Sequence, residues 1–277
     1  MLYKKRLIVV FFFVFCLLIS VTAVYAADKT SITWFGQSAF KITTGSGKVL
    51  LIDPWITNPA NPKGKEHYDS IDKVDLVLLT HGHRDHVGNT IDIIKKTGAT
   101  LVATADLGRA MVHFGGLPGK YYPRENMGHF GGEISLLNGE VRVLFVPAVH
   151  GSGLEGAADS RLPNLNAYGG NPGGFVIYVK DGPTIYHTGD TDVFSDMALI
   201  NISGKIDVML ACIGDKFTMG PKRAAKAVQF VDPMMVVPMH YSASQAHGMA
   251  TAFEKEIKAL GLKTEIKKLA VGETIEL

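Results

Sequence analysis

Within one short segment the sequence sets three imidazoles and a carboxylate: Thr80-His81-Gly82-His83-Arg84-Asp85-His86, directly after the apolar run Val74 to Leu79. His81 and His83 are two residues apart, so extended backbone at a strand end turns both to one side, and Asp85 and His86 follow in the turn into the next helical stretch. Imidazole nitrogen with carboxylate oxygen suits zinc, iron or manganese better than calcium, which prefers an all-oxygen shell. Asp85 would also serve as a helix N-cap. Capping alone leaves three imidazoles crowded together that repel whenever they are protonated, so a metal site is the better account of the cluster.

The same placement recurs in the elements that must carry such residues. Val49 to Ile52 ends at Asp53-Pro54, Val74 to Leu79 at Thr80-His81 and Val141 to Val149 at His150. Thr184 to His187 ends at Gly189-Asp190, Ile206 to Ile213 at Gly214-Asp215, and Met234 to Met239 at His240. All six are β-branched or apolar runs with their polar residues at the C-terminal end. Asn138-Gly139 and Asp181-Gly182 lie between such runs and predict tight hairpins. Helices are expected at about Val87–Lys96, Ala105–Phe114, Pro221–Val231 with proline in its first turn, and Met249–Leu260. Continuous apolar strands of this kind need sheets covered by helices.

H-x-H-x-D-H followed by a lone histidine, a lone aspartate and a final histidine resembles the metallo-β-lactamase superfamily. The downstream matches are His150 in Pro147-Ala148-Val149-His150, Asp190 in His187-Thr188-Gly189-Asp190-Thr191, and His240 in Pro238-Met239-His240-Tyr241. The likeness runs from about Ser31 to Leu277 and includes Leu51-Ile52-Asp53-Pro54, Tyr168-Gly169-Gly170-Asn171-Pro172, Phe194-Ser195-Asp196-Met197 and Ile213-Gly214-Asp215-Lys216-Phe217-Thr218-Met219-Gly220-Pro221. These last strings look like the branch of metal-dependent hydrolases related to L-ascorbate-6-phosphate lactonase and N-acylphosphatidylethanolamine phospholipase D. The resemblance implies an α/β (α+β) fold, a four-layer αββα sandwich of two mixed sheets covered by outer helices.

It also implies a ligand set. His81, His83 and His150 would hold one metal, Asp85, His86 and His240 a second, and Asp190 would bridge them. The cofactor expectation is two divalent metal ions, zinc first, with manganese or iron as alternatives. Related diiron oxygen reductases carry Glu at the position of His83, the true β-lactamases lack the bridging Asp, and persulfide dioxygenases use one iron. The full set therefore points to two-metal hydrolysis, with a bridging hydroxide attacking an ester, lactone or phosphodiester and Asp85 and Asp190 taking protons. Two other readings stay open: an iron-dependent oxidoreductase of the same fold, and a non-catalytic binding protein stabilised by its metals. A serine hydrolase fits poorly, since no G-x-S-x-G elbow is present.

Weaker candidates surround this set. Asp53 would orient a ligand imidazole from behind, or simply serve as a turn residue before Pro54. Tyr241 would donate to a developing oxyanion or pack as an ordinary aromatic, and Asp215 is a candidate substrate contact. His187 reads as a buried, hydrogen-bonded structural histidine, and Cys212 as a small hydrophobe. The loops Gly115–Met127 and Gly151–Asn171 are where specificity is expected to lie.

The chain has 277 residues, 28 Lys+Arg against 26 Asp+Glu, 47% hydrophobic residues and two cysteines. That is too apolar for a disordered chain, too poor in cysteine for a disulfide scaffold and too neutral for a dedicated nucleic-acid binder; charge names no partner, and the small-molecule substrate expected here is what the resemblance implies. Lys4, Lys5 and Arg6 precede an apolar run from Leu7 to Ile19, and Val24 and Ala26 suit signal peptidase. Residues 1–26 are thus expected to be a signal peptide exporting the chain to the periplasm or medium, with 27–277 a single domain and no stable membrane insertion after cleavage. An uncleaved anchor is the alternative. Removing those residues, with three basic and no acidic side chains, takes the formal net charge from +2 to −1.

Overall fold

A computed structural model describes residues 29–157, 166–241 and 246–277. The expected signal peptide lies outside the described residues, as do residues 158–165 of the Gly151–Asn171 loop. Among the described residues, no helix is long and apolar enough to cross a membrane.

The first half of the chain forms β1 (Ser31–Trp34), β2 (Phe40–Thr43), β3 (Val49–Ile52), α1 (Gly64–Asp69), β4 (Leu76–Leu78), α2 (Arg84–Val87), α3 (Thr90–Thr97), β5 (Thr100–Thr104), α4 (Ala105–His113) and β6 (Met127–Gly128). The second half forms β7 (Glu133–Leu136), β8 (Val141–Pro147), β9 (Gly153–Glu155), β10 (Asn166–Tyr168), β11 (Gly173–Val179), β12 (Thr184–His187), β13 (Val208–Cys212), α5 (Pro221–Val231), β14 (Met235–Met239), α6 (Ala246–Ala259), β15 (Glu265–Ile266) and β16 (Thr274–Glu276). One seven-stranded sheet runs β16-β1-β2-β3-β4-β5-β6 and the other β15-β14-β13-β12-β11-β8-β7. Both are mixed in the same way. The β16 to β3 side of the first and the β7 to β12 side of the second are antiparallel, and the remaining neighbours are parallel.

Strand periodicity explains the layering. Leu50, Ile52, Leu76, Leu78 and Val102 share one core with Phe145, Phe175, Ile177 and Ile185 of the other sheet. The residues between them, Leu51, Val77, Leu79, Leu101 and Ala103, pack with Ile93 and Ile94 of α3 and Leu107 and Met111 of α4. Ala224 and Val228 of α5, with Phe253 and Ile257 of α6, join the core of the second sheet. Strands buried on both faces carry no alternating polar signal, which is why they read as unbroken apolar runs.

Both expected hairpins form, with positive φ at Leu137, Asn138 and Gly139 in one and at Asp181 in the other. One helical expectation is corrected. Instead of a helix over Val87–Lys96, α2 and α3 are separated at Gly88 and Asn89. Gly88 takes φ 38, and a Cβ there would lie 2.4 Å from Trp55 Cα, so the break is where the loop after β3 passes under the motif. A short 3-10 segment, Ser195–Ser203, was also not expected, and α6 begins three residues before the anticipated Met249. Gly88→Ala should lower the unfolding free energy by more than about 2 kcal/mol, combining an adverse φ with a backbone clash. Urea denaturation of the two proteins measures this directly.

Candidate metal centre

The parallel strands of each sheet end at the same edge of the sandwich. From the first sheet, β3 delivers Asp53, and the segment after β4 delivers His81, His83, Asp85 and His86. From the second, the segments after β8, β12 and β14 deliver His150, Asp190 and His240. The seven expected ligands come together in two groups, His81 with His83 and His150, and Asp85 with His86, Asp190 and His240. In the first, His83 Nδ1 stands 3.0 Å from His81 Nε2 and 3.3 Å from His150 Nε2. In the second, Asp190 Oδ2 stands 3.2 Å from His86 Nε2 and 3.0 Å from His240 Nε2, while Asp85 Oδ2 lies 3.3 Å from His240 Nε2. The same Asp190 oxygen is 3.6 Å from His150 Nε2, so it faces both groups.

The donors fit a divalent cation. Donor atoms in a tetrahedral shell with bonds of about 2.0–2.1 Å stand about 3.3 Å apart, the spacing found here. Asp190 Oδ1 is buried with no hydrogen-bond partner, a costly state that a metal bond would relieve. Burial, the largest influence, holds the imidazoles of His81, His83 and His150 below their ordinary pKa, favouring the neutral form that donates a lone pair. Burial also lowers His240, but Asp190 outweighs it and pushes the imidazole up to about 9. Asp190 responds in kind: burial raises its carboxyl, and His86 and His240 overcome that to hold it well below the usual range.

The groups behind the ligands decide which nitrogen faces the centre. Asp53 has no exposed surface. It accepts from Thr80 N (2.9 Å), from Thr80 Oγ1 (2.7 Å) and from His86 Nδ1 (2.7 Å). The Thr80 hydroxyl, its proton committed to Asp53, accepts from His81 Nδ1 at 3.0 Å. One carboxyl group thereby orients an imidazole in each donor group, turning both Nε2 atoms toward the centre. Asp53, expected either to orient a ligand imidazole or to serve as a turn residue, stands against His86 Nδ1. Nothing in the sequence singles out Thr80 beyond its place between an apolar strand and the first candidate ligand.

Two further contacts hold the frame. His187 donates from Nε2 to the Ser38 carbonyl at 3.0 Å and accepts from Gly189 N at 3.1 Å, tying the Asp190 loop to the β1–β2 turn, as a structural histidine should. His240 sits at φ 61, with its amide donating to Gln37 O in that same turn. Other candidates lie elsewhere. Tyr241 is buried against Trp34, ring centroids 5.4 Å apart, and burial pushes its phenol up to about 12. Asp215 is exposed, in the turn after β13, and is not among the residues lining the metal pocket. Asp85 lies in the first turn of α2, whose N-cap is His83, so the capping alternative does not describe it. The pocket has a volume of about 310 Å³ and is lined by His83, Asp85, His150, Asp190, Phe217 and His240.

Two mixed sheets with flanking helices and a histidine–aspartate cluster at one edge define a metal-binding protein of the metallo-β-lactamase fold. Residues 31–240 match the beta-lactamase superfamily domain. A UPF0173 metal-dependent hydrolase of Thermodesulfovibrio yellowstonii is 57% identical over 265 residues, spanning 95% of this chain and 98% of the relative. Another from Anaeromyxobacter dehalogenans is 45% identical, spanning 90% and 88%. The chain belongs to the UPF0173 metal-dependent hydrolases of the β-lactamase superfamily. Among solved structures, Igni18, a metallo hydrolase of the archaeon Ignicoccus hospitalis, is 29% identical with a TM-score of 0.73, covering 90% of this chain and 98% of its own. A metallo-beta-lactamase fold protein of Bacillus subtilis shares the fold at 17% identity and TM-score 0.63, covering 90% and 100%.

Substituting the supporting groups tests their orienting role. In Asp53→Asn the amide nitrogen must face either His86 Nδ1 or the Thr80 amide, both donors, so zinc affinity should fall by about 10- to 100-fold. Thr80→Val should weaken it through His81. Competition with a chromophoric zinc chelator gives the affinities and circular dichroism checks the fold; parental affinity in both variants would refute the scheme.

Proposed function

We propose that this hydrolase is dinuclear and cleaves a carboxylic ester, lactone or phosphodiester in a small molecule. The observation that carries the reading is the Asp190 oxygen, within 3.6 Å of a nitrogen in both donor groups. In this reading His81, His83 and His150 hold one cation, Asp85, His86 and His240 the other, and Asp190 both. When bound, two divalent cations lower the pKa of water toward neutrality and polarise the scissile carbonyl or phosphoryl group.

The protein's own contribution divides between its two carboxylates. Asp190, 3% exposed, is enclosed by histidines and holds the two halves in register. Asp85, 32% exposed at the pocket wall, can exchange protons with solvent, so it takes the proton released during attack and passes it toward the leaving group. The neutral imidazoles of the first group supply lone pairs without bringing positive charge that would repel a cation.

Chelated protein, reloaded and assayed on lactones, aryl esters and bis-aryl phosphodiesters, should recover turnover as the metal content approaches two per chain. Saturation at one per chain overturns the dinuclear reading. Asp85→Ala should reduce kcat by about 10²- to 10⁴-fold with the fold intact; equal turnover would remove Asp85 from proton transfer.

We also infer export from the basic start and the apolar run Leu7 to Ile19. Expression of the full chain in a Gram-negative host should yield periplasmic protein beginning at Ala27. N-terminal sequencing of the periplasmic and cytoplasmic fractions reads the outcome.

A further inference from the structure

Phe217 is 69% exposed, yet it lines the metal pocket beside Asp85, His150, Asp190 and His240. Strand order explains its position. β13 lies between β12 and β14, so the turn that follows β13 emerges between the segment carrying Asp190 and the one carrying His240. The turn is anchored on both sides. Met219 N donates to Thr191 O at 3.1 Å, next to Asp190. On the other flank Gly214 presses against His240, whose carbonyl oxygen would be 2.1 Å from any Cβ there.

Internal bonds stiffen it further: Gly214 N donates to Thr218 Oγ1 (2.9 Å), Thr218 N to Asp215 O (2.7 Å) and Asp215 N to Met219 O (3.1 Å). Asp215 takes φ 63 to close the turn. The Phe217 ring gains little from this arrangement within the fold, since its one described aromatic contact is with the neighbouring Lys216 ammonium, 5.0 Å from the ring centroid. A second exposed apolar residue, Val149, precedes His150 and is tied to the same Thr191 through its amide. Rigid presentation of a large apolar surface beside the reacting centre is what recognition of an apolar substituent requires.

Resting on the hydrolase reading, we propose that Phe217 is a specificity-determining residue, the apolar wall against which an ester or lactone lays an aliphatic or aromatic substituent while its carboxyl group faces the donor cluster. The ring covers one side of the substituent, so selectivity should grow with chain length. A phosphodiester whose charged groups surround the scissile bond would gain nothing from it.

Binding of straight-chain carboxylates from acetate to octanoate to the zinc-loaded full chain, followed by calorimetry, tests this without turnover. Wild-type affinity should rise about tenfold or more across the series, each methylene being covered on one side. In Phe217→Ala the rise should shrink to about threefold or less, and Phe217→Leu should restore most of it. A flat wild-type series, or a full rise in the alanine variant, overturns the proposal. Ester and lactone assays on the same preparation separate the two readings. Absent turnover with a length-dependent binding series removes the ester or lactone assignment alone; turnover with a flat series removes the role of Phe217 alone.

Discussion

At one edge of the sandwich, imidazole nitrogens and carboxylate oxygens face one another at 3.0 to 3.6 Å, several of them aiming lone pairs at the same small volume. Such crowding is unfavourable without positive charge between the donors, and the surrounding protein is arranged to hold it. Asp53 and Thr80 dictate which ring nitrogens turn inward; His187 and the β1–β2 turn fix the loops of Asp190 and His240. Protons can fill the role of the cation in part, which is why burial and Asp190 act in opposite directions on His240.

Each donor group draws on both sheets. His81 and His83 come from the first and meet His150 from the second; Asp85 and His86 meet Asp190 and His240 in the same way. Cations bound there would cross-link the two layers at an edge where the apolar core ends. Metal binding and sheet packing are consequently coupled, and anything that binds only the assembled edge stabilises the folded chain.

The fold and the clustering of the candidate ligands were largely legible in the sequence because both depend on local order. Apolar runs ending in polar residues mark strands that stop at one edge, and H-x-H-x-D-H needs only a strand end and the following turn to gather four donors. Features set by packing between distant segments were not legible. The break at Gly88 depends on Trp55 lying beneath it. Tyr241, adjacent to a ligand, turns into the core because Trp34 offers it a face. Thr80 matters only because β3 brings Asp53 beside it, a pairing across 27 positions of chain that no spacing rule reports.

The same logic distinguishes the two sides of the centre. Behind the donor cluster, the two supporting side chains close on protein: Asp53 has three donors, and His187 has a partner on each nitrogen. On the solvent side, Asp85 is partly open and Phe217 is largely so, although the turn that carries Phe217 is as firmly bonded as the frame behind. A rigid backbone with an unsatisfied side chain is an arrangement whose partner comes from outside the protein. The closed side fixes where the reacting bond must sit, and the open side is where the fold leaves room to choose what that bond is attached to.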